Sequence, residues 1–159
     1  MAQRKSHDHR RPDRTGSSAG GLGCTAVILL DTHTLVWMDQ DDQRLGQQAR
    51  NLISAHFQTG EIAVSAISFW ECALLQARKR LDLPSSVNQW RSELLDNGLL
   101  EIPLDGHIAI LSVQLELLHK DPADRFIAAT AIRHDATLIT ADEKLLAAPP
   151  RLKRLDARS

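Results

Sequence analysis

Four short apolar runs punctuate the chain, with helical spacing between them. Thr25 to Leu30 (TAVILL), Glu61 to Ile67 (EIAVSAI), Leu99 to Ile102 (LLEI) and Thr137 to Thr140 (TLIT) are rich in aliphatic and β-branched residues and alternate little, the pattern of strands buried on both faces. Asp31 ends the first run, and a polar connection is expected after it. Helical stretches then run from about 43 to 58, from Ser68 until Leu83-Pro84 breaks the chain, and from a Ser85 cap through Asp96. Asn97-Gly98 closes that helix with the expected glycine. An almost wholly apolar helix runs from an Asp105 cap to about Leu118, another from Asp121-Pro122 to about Arg133, and a short one from Asp142 to Ala147. A last edge strand is expected at Leu152 to Leu155. Strands alternating with one or two helices require crossovers, so the fold expected is α/β, a doubly wound three-layer parallel sheet of four to five strands.

Such sheets gather their functional groups outside the carboxyl ends of the strands, where the strand order reverses. At those positions stand acids. Asp31 directly follows the first strand, Asp142 lies two residues after the fourth, Glu71 sits in the first turns of the helix after the second, and Asp124 in the first turn of the helix before the fourth. Four carboxylates brought together repel one another unless a cation shares the space, and oxygen-only donors suit Mg²⁺ or Mn²⁺. Each residue also has a purely architectural role open to it. Asp31 and Asp142 are good caps, and Asp124 falls at N3, where an acid can complete a capping box. Trp70, Ala73, Leu74, Ala77 and Leu81 share one apolar face at helical spacing, and Glu71 stands about 100° from its first member, at the border of core and solvent with Arg78 nearly beneath it. An ordinary rim glutamate fits that place too. Weaker candidates are Ser68 and Thr140, as holders of a carboxylate or water, and Arg78, Arg125 and Arg133, as phosphate contacts. His33 and His119 lie near the acids, but no two histidines have helical ligand spacing, so they read as solvated or core residues. Cys72 reads as a small apolar group.

Composition narrows the field further. At 159 residues and 43% apolar content the chain suits one domain. Residues 1 to 24 carry five basic and two acidic groups and almost no apolar ones, and read as a disordered basic arm before a folded domain at 25 to 159. Residues 148 to 159 carry four basic and one acidic, which leaves an acidic body with 10 basic and 17 acidic groups. Two cysteines, Cys24 and Cys72, are too few for a disulfide framework, so a reducing cytoplasm is the default. The run Ala26 to Leu30 is far too short to span a bilayer, and no membrane association is expected. Six aromatic residues and no tyrosine leave little for a base-stacking platform, so nucleic acid would be gripped by its backbone. Gly20, Gly21 and Gly23 precede the first strand, the wrong side for a dinucleotide loop.

The segments LLDTHTLVW (29 to 37), SAISFWECALL (65 to 75), HKDPADRFIAATA (119 to 131) and TLITAD (137 to 142) resemble the signature blocks of the PIN domain, most closely those of VapC-type toxin ribonucleases. The resemblance covers about 25 to 155. It implies a Mg²⁺- or Mn²⁺-dependent endoribonuclease whose acidic quartet is Asp31, Glu71, Asp124 and Asp142, with Asp121 more peripheral. It also implies an RNA substrate, a homodimer and a cognate antitoxin protein that covers the site. The arm lies outside the pattern, and LLQARKR follows Glu71 where relatives often carry a single lysine. Basic groups at Arg78 to Arg80 and Arg151 to Arg154 would then meet phosphates. Two other readings stand beside this one. A haloacid-dehalogenase-type phosphatase also begins with an Asp after its first strand, but needs a second Asp where this chain has His33. A non-catalytic PIN-like binding or regulatory module would use the acids only as caps.

Overall fold

The computed structural model describes residues 26–116 and 120–159; the expected arm at 1–24 and His119 lie outside the described residues. Five strands, β1 (Ile28–Leu30), β2 (Ile62–Ser65), β3 (Leu100–Ile102), β4 (Thr137–Thr140) and β5 (Arg154–Asp156), form one all-parallel sheet in the order β3-β2-β1-β4-β5. Leu29 of β1 sits in register with Ala63 on one side and Leu138 on the other. The chain builds outward from β1 to β2 and β3, then returns to lay β4 and β5 on the opposite flank. The order reverses between β1 and β4, which opens a crevice at their carboxyl ends.

Seven helices cover the described sheet: α1 (Thr32–Asp39), α2 (Gln47–Thr59), α3 (Ala66–Ala77), α4 (Val87–Asp96), α5 (Gly106–Gln114), α6 (Pro122–Arg133) and α7 (Glu143–Leu146). Alternate strand residues feed two separate cores. Ile28, Leu30, Ile62, Val64 and Ile139 pack with Leu35, Phe69, Cys72, Trp90 and Leu94 from α1, α3 and α4, whereas Leu29, Ala63 and Leu138 pack with Ile108, Ile127, Ala128, Ala131 and Leu145 from α5, α6 and α7. The sheet is thus buried on both faces, as its unalternating strands require. Four buried alanines in α6, Ala123, Ala128, Ala129 and Ala131, keep that helix slim.

Several local expectations are corrected. Residues 32–39 form a helix where a polar connection was expected. Asp31 supplies its N-cap, Oδ1 accepting the Thr32 N–H at 2.7 Å, and burial of Leu35 and Trp37 outweighs the poor helix propensity of threonine, valine and tryptophan. On α3 the buried face is Ser68, Phe69 and Cys72; Trp70 is 53% exposed, and Ala73 and Ala77 face solvent. The helix begins at Ala66 straight from a buried strand, with Ser65 as its cap, so the strand exit sets its rotation. The cap of α4 is Ser86, one residue later than expected. Helix α5 stops at Gln114, where Leu115 turns extended, and Arg125 satisfies the carbonyls left open there, donating to Ser112 O at 2.8 Å and Leu115 O at 2.7 Å. Strand β5 is shifted to Arg154–Asp156, and Leu152 turns into the core instead.

Candidate active site

The crevice between β1 and β4 opens into a hollow of about 350 Å³ lined by Asp31, Glu71, Asp121, Asp124 and Asp142, with His33, Trp37, Ala141 and Arg158. All four carboxylates singled out in the sequence meet here. Each arrives on a different element: Asp31 at the end of β1, Glu71 from the second turn of α3, Asp124 from the first turn of α6, and Asp142 as the cap of α7.

Hydrogen bonds connect Asp31, Glu71 and Asp142. Asp31 is buried, 3% exposed. Its Oδ1 accepts the Thr32 N–H, and its Oδ2 accepts the Thr140 hydroxyl at 2.7 Å. Thr140 Oγ1 in turn accepts the Asp142 N–H at 3.1 Å. Thr32 Oγ1 donates to Glu71 Oε1 at 2.7 Å and lies 3.0 Å from Ser68 Oγ. Asp142 Oδ1 accepts the N–H groups of Lys144 and Leu145, and Asp121 Oδ1 that of Ala123. Capping and facing the hollow are therefore compatible, because a cap occupies only part of a carboxylate's acceptor capacity.

Burial pushes the Asp31 carboxyl above its ordinary range, and Asp142 adds to the rise; the Thr140 and Thr32 bonds and His33 oppose it. Glu71 is also raised, first by burial and then by Asp31 and Asp121, against the Thr32 bond and His33. Two acids whose charged forms cost free energy, in a hollow ringed by further acids, make a place that favours a cation. The available donors are carboxylate oxygens. Among the described residues, no three His, Cys, Asp or Glu side chains already stand close enough to hold a metal ion. The acids surround the space without closing on it.

The weaker expectations divide. Thr140 bonds the Asp31 carboxylate directly, whereas Ser68 meets the Thr32 hydroxyl, one group away from Glu71. Arg78 is the exposed C-cap of α3 and does not line the hollow. Arg125 binds the carbonyls ending α5, including Val113 O at 3.3 Å, and does not line it either. Arg154 is spent on Leu146 O, Pro149 O and Leu152 O. Sequence reasoning missed Thr32, which bridges toward Glu71, and Arg158, which lines the hollow while bonded to Asp156 and Glu143. Adjacency to Asp31 was the available signal for Thr32; nothing local marked Arg158.

Comparison with known proteins identifies the family. A family model described as the PIN domain matches residues 28–149. Ribonuclease VapC22 of Mycobacterium tuberculosis is 35% identical over 120 residues, covering 75% of this chain and 89% of that protein. Among solved structures, VapBC2 from Rickettsia felis bound to a promoter DNA fragment aligns with a TM-score of 0.60 at 19% identity, covering 81% of this chain and 97% of that one. DNA-bound VapBC from Salmonella typhimurium aligns with a TM-score of 0.62 at 17% identity, covering 83% and 98%.

Proposed function

This chain belongs to the PIN-domain family, and from that premise we propose that it is a metal-dependent endoribonuclease, the toxin of a toxin-antitoxin pair, with Asp31, Glu71, Asp124 and Asp142 as its catalytic carboxylates. The observation that carries this reading is the meeting of those four acids, from distant stretches of chain, in one hollow at the reversal of strand order.

The donor chemistry fits Mg²⁺ or Mn²⁺. Mg²⁺ takes one or two carboxylates directly and completes its shell with water and substrate phosphate, so acids that ring a space without forming a tight cage suit it. When bound, such a cation supplies activation of water and neutralises charge on the phosphodiester as its P–O bond breaks. The chain's own residues orient the donors. Thr140 and Thr32 fix both oxygens of Asp31, and Thr32 holds one oxygen of Glu71. These bonds favour the ionised carboxylates and offset part of the rise that burial causes.

Likeness to a ribonuclease and to VapBC complexes supports an RNA substrate and a cognate antitoxin partner, and the scarcity of cysteine fits a cytoplasmic setting. No helix among the described residues is long and apolar enough to cross a membrane. A homodimer is supported by Trp70 on α3 and by Ile110 and Val113 on α5, 61% and 78% exposed, on the two helices that pack against α6. The domain is taken to occupy 25–159.

The test is cleavage of labelled single-stranded RNA by the purified protein. Cutting is expected with Mg²⁺ or Mn²⁺, and none with EDTA or in folded Asp31→Asn and Asp142→Asn variants. Full cutting in EDTA would refute metal dependence, and full cutting by both variants would remove the carboxylates from the chemistry.

A further inference from the structure

Beside the carboxylate hollow lies a second one of about 350 Å³, and the two share His33 and Trp37 as a common wall. Val36, Leu75 and Leu81 give it apolar surface, and its charged lining is Arg44 and Arg80 with one acid, Asp82. The two arginines differ. Arg44 is committed: its Nη2 donates to Asp42 Oδ2 at 2.6 Å, and its guanidinium lies 4.9 Å from the centroid of the Trp37 ring. Arg80 has its backbone pinned, its N–H donating to Leu75 O at 2.8 Å, while its exposed side chain makes no hydrogen bond or ion pair with any described residue. Its backbone place is fixed, and its charge is uncommitted among the described residues.

Apart from what a bound cation supplies, the carboxylate hollow repels RNA, because its five acids outnumber Arg158, itself paired with Asp156 and Glu143. A strand held there needs cations nearby, and single-stranded RNA is gripped by positive charge along its backbone with apolar surface under its bases. The second hollow offers both, and its shared wall sets it directly beside the carboxylate hollow. We propose that this hollow is the subsite for the nucleotide next to the scissile phosphate, with Arg80 on the flanking phosphate and the base over Val36, Leu75 and Leu81. Arg80 then sets how strongly the enzyme holds RNA on that side of the cut. The inference rests on the ribonuclease reading above and narrows the phosphate contact expected within Arg78 to Arg80 down to Arg80 itself.

Binding of a fluorescent single-stranded RNA oligonucleotide to Asp31→Asn protein, in Mg²⁺, reads the subsite apart from cutting. Adding Arg80→Gln should weaken binding by about tenfold at low salt and lower the slope of log affinity against log salt by about 0.7, the value for one single-strand phosphate contact. Arg78→Gln should change affinity by less than about twofold, and Arg80→Lys should restore most of the loss. An unchanged affinity and salt slope in Arg80→Gln would overturn the subsite and leave the hollow to a protein partner. Arg80-dependent binding by a wild-type protein that cuts no RNA would keep the subsite and remove the nuclease reading. No measurable RNA binding would remove both.

Discussion

Thr140 Oγ1 donates to Asp31 Oδ2 at 2.7 Å while accepting the Asp142 N–H at 3.1 Å, so one hydroxyl joins the end of β1 to the start of α7 across the reversal of strand order. Thr140→Val keeps the shape and removes both bonds. Loss of a residue that orients a metal ligand typically costs about 10- to 100-fold in metal affinity or activity. RNA cleavage by Thr140→Val should fall by that margin at limiting Mn²⁺, recover in part at high Mn²⁺, and return in Thr140→Ser. Wild-type cleavage by the valine variant at limiting Mn²⁺ would make Thr140 a packing residue only.

Asp31 gives a stability prediction with a definite sign. Burial raises its folded carboxyl above the ordinary value of 3.8, so the folded chain binds this proton more tightly than the unfolded chain. The resulting stability is fully present below 3.8 and is lost as pH rises through the raised folded value. Asp31→Asn carries no charge at any pH. In EDTA it should melt above wild type at pH 8 and converge with it toward pH 4, each kcal/mol of relief moving Tm by about 2–4 °C. Melting scans at the two pH values decide this. A variant that melts lower at both would show that the carboxylate's hydrogen bonds outweigh its burial.

Gly46 has no room for a side chain. A Cβ there would lie 2.1 Å from Ser159 O and 2.4 Å from the Arg158 carbonyl carbon, both backbone atoms, and the Gly46 N–H already donates to Ala157 O at 2.8 Å. Gly46→Ala must displace 157–159, at a cost of about 1–3 kcal/mol for overpacking. Denaturant unfolding should show the loss, and because Arg158 lines the carboxylate hollow, RNA cleavage should change with it. Unaltered stability would mean the 157–159 segment yields freely.

Val113 and Ile110 test self-association. Replacing both with glutamate puts charge on an exposed face and disturbs no buried contact, so the fold should persist while light scattering shows a shift from dimer toward monomer. An unchanged mass would place any dimer contact elsewhere.

The sheet and the acids were legible because their signals are local. An unalternating apolar run means a strand buried on both faces, and an acid just beyond such a run stands at the functional edge. Asp121-Pro122 likewise marked the start of α6 correctly, since a cap followed by proline at N1 is a complete signal. Local signals failed where packing decides. THTLVW has weak helix propensity, and α1 forms because Leu35 and Trp37 have a core to enter. On α3, Phe69-Cys72 and Trp70-Ala73-Ala77 are both apolar at helical spacing, so periodicity alone chose the stripe that faces solvent. Arg125 stands beside Asp124 in sequence, yet its side chain reaches to the carbonyls at the end of α5. Thr32 could be named only once α1 was known to bring its hydroxyl to Glu71.

The central claim is that the carboxylates of the β1–β4 crevice share a divalent cation, and calorimetric titration of Mn²⁺ into the metal-free protein measures it most directly. The wild-type protein should bind one or two Mn²⁺ and, at about 100 times the dissociation constant, gain roughly 2.7 kcal/mol of stability. Asp31→Asn and Asp142→Asn should lose most of that heat and that gain while staying folded. Equal Mn²⁺ binding by the wild-type protein and both variants, or none by any of them at millimolar metal, would contradict it.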